Sequence, residues 1–118
     1  MTPRVIVAMI FTVGLQSFAG LPPKAYGHVY ALDAAEMGRA VDVARRYLAP
    51  RVRGYHISGV WIEFSDEVQI LYQPYGGPTQ YLVLRKRAKA WHVTTERVSP
   101  DQKKFEEDAI SDGIIYTP

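Results

Sequence analysis

The chain contains no cysteine at any of its 118 positions, so no disulfide, thiolate metal site or cysteine nucleophile is open to it. It has only three histidines, His28, His56 and His92, too widely spaced for any two to bind one metal as sequence neighbours. No uninterrupted apolar run approaches the ~20 residues that a membrane-crossing helix needs. Charge of one sign is not in excess either: 14 Lys+Arg stand against 12 Asp+Glu. A strongly basic balance would mark a nucleic-acid footprint, and its lack argues against such a partner. No serine lies in a Gly-x-Ser-x-Gly turn, and Gly76-Gly77 joins two strand-like segments between prolines rather than opening a helix, so neither a nucleophile elbow nor a phosphate loop is present.

What is present begins with a leader. Arg4 supplies one positive charge, Val5 to Leu15 follows without charge, and Ser17 and Ala19 are small residues at the spacing of a signal-peptidase site. Residues 1–19 therefore read as a secretory signal peptide, with Ala25-Tyr26-Gly27 as an alternative site cut after residue 27. Loss of Arg4 with the leader leaves a nearly neutral chain, and the expected location is periplasmic or secreted, with membrane contact only in transit. Leu21-Pro-Pro-Lys24 marks residues 20–32 as a linker, since consecutive prolines offer no backbone donors. Residues 33–118 form a single domain.

Asp33 caps the first expected helix, with Glu36 three residues on as in a capping box. Met37, Ala40, Val41, Ala44, Tyr47 and Leu48 line one face of that helix, and Pro50 ends it. From His56 the period changes to two. Four strands are expected, over Tyr55–Phe64, Glu67–Gln73, Gln80–Arg87 and Ala90–Val98, joined in an antiparallel meander. Ser99 and Pro100 open a second helix that runs to about Ser111, with Phe105, Ala109 and Ile110 inward and Lys103, Lys104, Glu106, Glu107 and Asp108 toward water. The fold class is α+β. The order helix, four-strand meander, helix resembles the cystatin-like and nuclear-transport-factor-like folds in general architecture, which implies a curved sheet wrapped on a helix and licenses no activity.

Register separates two faces. Pairing Ile62 with Ile70 and Leu84 with Val93 makes one face apolar, and the first helix packs there. The other face carries Trp61, Glu63, Gln69, Leu71, Tyr81, Val83, Arg85, His92, Thr94 and Glu96. One reading of this mixture is an ordinary solvated surface, since antiparallel sheets keep one face wet. The other is a recognition surface, because Trp, Tyr and Arg dominate binding hot spots. On the second reading Trp61, Tyr81, Arg85, His92 and Glu96 bind an envelope or extracellular protein or polymer, and the chain is a non-enzymatic inhibitor or accessory module.

His92 with Glu96 or Glu63 is the only acid–base pair the pattern offers, and residues four apart on a strand are about 13 Å apart. An acid–base enzyme with a pocket between sheet and helix is the competing expectation, and a tethered structural subunit keeping its N-terminal segment is a third. No metal or other cofactor is expected. Arg85, Lys86, Arg87 and Lys89 read first as solubilising charges at a hairpin end, as do Arg45, Arg46, Arg51 and Arg53 at a helix end.

Overall fold

The computed structural model describes residues 23–28, 31–113 and 115–116, the last two by their backbone. Six strands and two helices occur among them: β1 (Lys24–His28), α1 (Ala34–Leu48), β2 (Tyr55–Phe64), β3 (Glu67–Pro74), β4 (Gln80–Arg87), β5 (Ala90–Val93), α2 (Pro100–Ser111) and β6 (Ile115–Tyr116). The leader lies outside the described residues. Among the described residues no helix is long and apolar enough to cross a membrane.

The meander forms as its turn signals indicate, but it is part of a larger sheet. The strand order is β5-β4-β3-β2-β1-β6, with β2 to β5 antiparallel and β1 parallel to both β2 and β6. This corrects the four-strand, all-antiparallel expectation. Residues 24–28, expected within a linker, form β1. Parallel neighbours need a crossover, and α1 supplies it between β1 and β2, which fixes α1 to one face of the sheet.

Asp33 caps α1 by accepting from the Glu36 amide at 2.8 Å. Glu36 does not return that bond as a capping box would. Its carboxylate instead accepts from Lys86 Nζ at 2.7 Å and Trp91 Nε1 at 2.9 Å, tying the first turn of α1 to the far hairpin. Those donors, with Arg39, hold its carboxyl down at about 2. The inward face of α1 presents Ala40, Val41, Ala44 and Leu48 to Val60, Ile62, Val68, Ile70, Leu82, Leu84 and Trp91. This interface is filled by apolar side chains, and it is the main core.

Gly27 lets β1 approach β2. Its φ is +81°, and a Cβ there would sit 2.5 Å from the backbone oxygen of Ile62. Both features exclude a side chain unless β1 moves. Gly27→Ala is expected to cost about 2–3 kcal/mol from left-handed strain and overpacking together, read as a lowered urea midpoint. The equivalent change at Gly76, where a Cβ would meet nothing within 4 Å, isolates the strain from the clash.

The β4–β5 hairpin closes in the expected register, Leu84 with Val93 and Lys86 with Trp91. Its two-residue turn holds Ala88 at φ +52° and Lys89 at φ +67°. A primed turn requires such angles, and Asn-Gly is the pair that adopts them most cheaply. Replacing Ala88→Asn and Lys89→Gly together is therefore expected to stabilise the fold by about 1–2 kcal/mol, measured by chemical denaturation.

Register at the β2–β3 hairpin differs from expectation by two residues: Ile62 opposes Val68 and Val60 opposes Ile70. Ser65-Asp66 is a two-residue turn, and an irregularity between Ile62 and Phe64 takes up the remainder. A shift of two leaves Val60, Trp61 and Ile62 on their own faces, whereas the one-residue irregularities at either end move Phe64 opposite Glu67 and bring Ile57 beside Tyr72 in the main core.

Candidate functional site

The mixed face of the sheet is not uniformly open. Helix α2 lies on it, capped by Ser99, whose hydroxyl accepts from the Gln102 amide at 3.1 Å. Beneath it Trp61, Leu71 and Ala109 form a second, smaller core, with Tyr26, Tyr81 and Ile110 packed around them. Thus helices cover both sides of the sheet, instead of one curved sheet wrapping one helix. Phe105, expected to face inward, is half-exposed and meets Trp61 edge-on with ring centroids 6.0 Å apart.

Trp61 is 2% exposed, and its Nε1 donates to Glu63 Oε1 at 2.8 Å. It is an interior side chain here, which corrects its placement on an open surface. Tyr81 borders α2. Its hydroxyl donates to Glu107 Oε2 at 2.8 Å, and Lys103 Nζ stands 5.2 Å from its ring centroid. Burial and the Glu107 carboxylate push the Tyr81 phenol well above its ordinary value. With Tyr26, Ser58, Leu71 and Ile110, Tyr81 lines a shallow groove of about 260 Å³ at the C-terminal end of α2.

The remaining three residues meet at the opposite end of the face, beyond the reach of α2. Arg85 and His92 are direct cross-strand partners. Arg85 grips Glu96 through two bonds, Nε to Oε2 at 2.5 Å and Nη2 to Oε1 at 2.9 Å, and also reaches Glu67 Oε1 at 3.1 Å. This fork raises the Arg85 guanidinium pKa and lowers that of Glu96, while burial raises Glu67. Glu96 follows β5 in a segment without regular structure, so Arg85 also anchors that segment to the sheet. Arg87, Val93, Thr94 and Thr95 complete a groove of about 480 Å³ around these residues.

The five sequence-selected residues therefore separate into an interior Trp61, a Tyr81 beside α2 and an exposed Arg85–His92–Glu96 corner. No acid–base pair assembles from those considered: Glu96 is held by Arg85, and Glu63 accepts from Trp61. Among the described residues no group of three His, Asp or Glu is arranged to hold a metal ion.

Sequence reasoning missed Glu106. Expected in water, it is 0% exposed, buried between α2 and the sheet. Gln102 Nε2 donates to its Oε2 at 3.0 Å, and Gln69 of β3 lies within hydrogen-bonding range. Burial raises its carboxyl to about 7, and the negative charges of Glu63 and Glu107 act in the same sense. Glu106 Oε1 and Gln69 Oε1 are two buried acceptors with no donor. A proton on Glu106 supplies one, which explains why the neutral acid is favoured. The available signal was the i, i+4, i+7 spacing of Gln102, Glu106 and Ala109, which puts all three on one helical stripe. Glu106 lines neither of the two grooves on this face.

The chain matches no protein-family model, no curated protein and no solved structure. Its site is read from its own chemistry.

Proposed function

We propose that this chain is an exported, non-enzymatic binding module, an inhibitor or accessory subunit, that engages an envelope or extracellular partner through the Arg85–His92–Glu96 corner. The observation that supports this reading most is the groove of about 480 Å³ on a part of the mixed face that no residue of α2 lines. Its walls are preorganised: the Arg85–Glu96 fork fixes two side chains, so little ordering remains to oppose association. Arg87, His92 and the Thr95 hydroxyl remain as adaptable polar contacts, while the Thr94 hydroxyl is fixed by donating to Val83 O and accepting from the Glu96 amide. A catalytic pocket between sheet and α1 finds no support, because that interface is filled by the main core.

Capture from native envelope extract tests the reading. Bait carrying Arg85→Ala with His92→Ala should lose the species that wild type retains, while Lys104→Ala, on the exposed side of α2, should keep it. Equal retention by both variants, or nothing specific to wild type, counts against this surface.

Export carries its own prediction. A cut after residue 27 would remove Lys24 to Gly27, which pair with Gly59 to Ile62, and so dismantle β1. Cleavage after Ala19 leaves it whole. The intact mass of the exported protein should correspond to a chain starting at Gly20; an intact Met1 or a start at His28 would contradict this.

A further inference from the structure

The β5 strand ends the sheet on one side, and its backbone is half used. In an antiparallel ladder alternate residues point their N–H and C=O toward the neighbour. Arg87 pairs with Ala90 across the turn, Arg85 with His92, and Thr94 N–H donates to Val83 O at 2.9 Å. Those residues face β4, so the peptide groups of Trp91 and Val93 point away from the sheet. Among the described residues no hydrogen bond reaches them. Trp91 itself is buried against α1 and anchored by Glu36, so the edge is rigid.

A groove flanks this edge on each face. The first is the Arg85–Glu96 groove on the α2 side. The second, of about 330 Å³, lies on the α1 side between Arg39, Asp42, Arg46, Lys89 and Trp91. Arg85 and Arg39 are neutralised by Glu96, Glu67 and Glu36. Arg87 in the first groove and Arg46 and Lys89 in the second form no salt bridge among the described residues. Cations at an edge ordinarily keep it from pairing with other copies. Here they stand on both faces of the same strand, and the strained turn holds Lys89 beside its groove.

We infer that the β5 edge binds an extended acidic segment of a partner polypeptide by strand addition, its backbone bonded to Trp91 and Val93 and its carboxylates reaching both grooves. Strand periodicity supplies the match, since successive side chains of an added strand point to opposite faces, one row toward Arg87 and His92 and the other toward Arg46 and Lys89. Charge decides the occupant. A second copy would bring the same cations against these, whereas an acidic strand neutralises both rows. The inference rests on the binding reading above and names its partner class.

The test uses the 15N-labelled exported chain and a blocked synthetic peptide, acetyl-Thr-Glu-Glu-Val-Glu-Glu-Thr-amide, beside a version with lysine for every glutamate. The acidic peptide should protect the Trp91 and Val93 amides from hydrogen exchange and leave His92 unchanged, because its amide is already bonded. Arg87→Glu with Lys89→Glu should weaken binding about tenfold or more. Val93→Pro should abolish it, since it removes an outward donor and no ladder bond. Should that variant misfold, the charge reversal still decides the matter. Equal binding of the lysine peptide, or no protection of either amide, would overturn the proposal. Shifts confined to His92, Thr94 and Thr95 would retain the binding corner yet reject strand addition. Protection that rises with protein concentration alone would identify a second copy as occupant and overturn the acidic one.

Discussion

Trp61→Ala is expected to lower stability by about 3–5 kcal/mol, the range for removing a large buried aromatic. The cost has three sources. Trp61 is the largest side chain of the small core beneath α2, where Leu71, Ala109, Tyr26 and Tyr81 would be left around a void. Its loss strands the Glu63 carboxylate, which accepts from the indole Nε1. It also removes the ring against which Phe105 stands edge-on, and with it a contact that holds α2. Hydrogen exchange should therefore show the amides of α2 released before those of β2 to β4, and the urea midpoint should fall. Trp61→Phe keeps most of the apolar contact and should recover more than half of the loss. An alanine variant as stable as wild type, with α2 still protected, would show that α2 does not depend on this core.

The second large effect is on pH dependence, through Glu106. Its carboxyl stands at about 7 in the folded chain against an ordinary value of 4.5. The folded state therefore holds this proton more tightly than the unfolded state does. Stability from this group is complete below about pH 4.5, declines as pH rises to about 7, and is flat above. The span corresponds to about 3 kcal/mol. Glu106→Gln keeps the shape and carries a permanent donor, so it should erase that slope and leave the protein more stable than wild type at pH 8. Denaturation midpoints at pH 5, 7 and 8.5 for both proteins give the answer, and parallel profiles would refute it. Glu36 works in the opposite sense: its carboxyl is held at about 2, so its contribution is present above pH 4.5 and is lost as pH falls toward 2. Separate assays are needed because α1 and α2 are anchored by groups that titrate in opposite directions.

The contrast between these two glutamates shows where reading the chain failed. Glu36 in the first turn of one capped helix and Glu106 midway along the other both look like solvent-facing carboxylates. Glu36 crosses to Lys86 and Trp91, fifty and fifty-five positions away, and Glu106 turns under its helix toward Gln69. Neither partner is legible in a local pattern. The same holds for β1. Lys24 to His28 is short, holds a glycine and follows two prolines, so its strand character comes from pairing with β2 and from the Gly27 approach to Ile62.

Local chemistry alone determined the helix caps at Asp33 and Ser99, the apolar stripe of α1, the order β2 to β5, the β4–β5 register and the assignment of side chains to two faces. Each follows from interactions within a few residues or from a period of two or 3.6, and the shift of two at the centre of the β2–β3 ladder left Val60, Trp61 and Ile62 on their faces. Tertiary structure decided which part of the mixed face stays exposed. A helix as polar as α2 gives little periodic signal, and it docks because Trp61 and Leu71 offer it an apolar seat on strands more than thirty residues away. That docking buries Trp61 and leaves Arg85, His92 and Glu96 together in the groove beside β5.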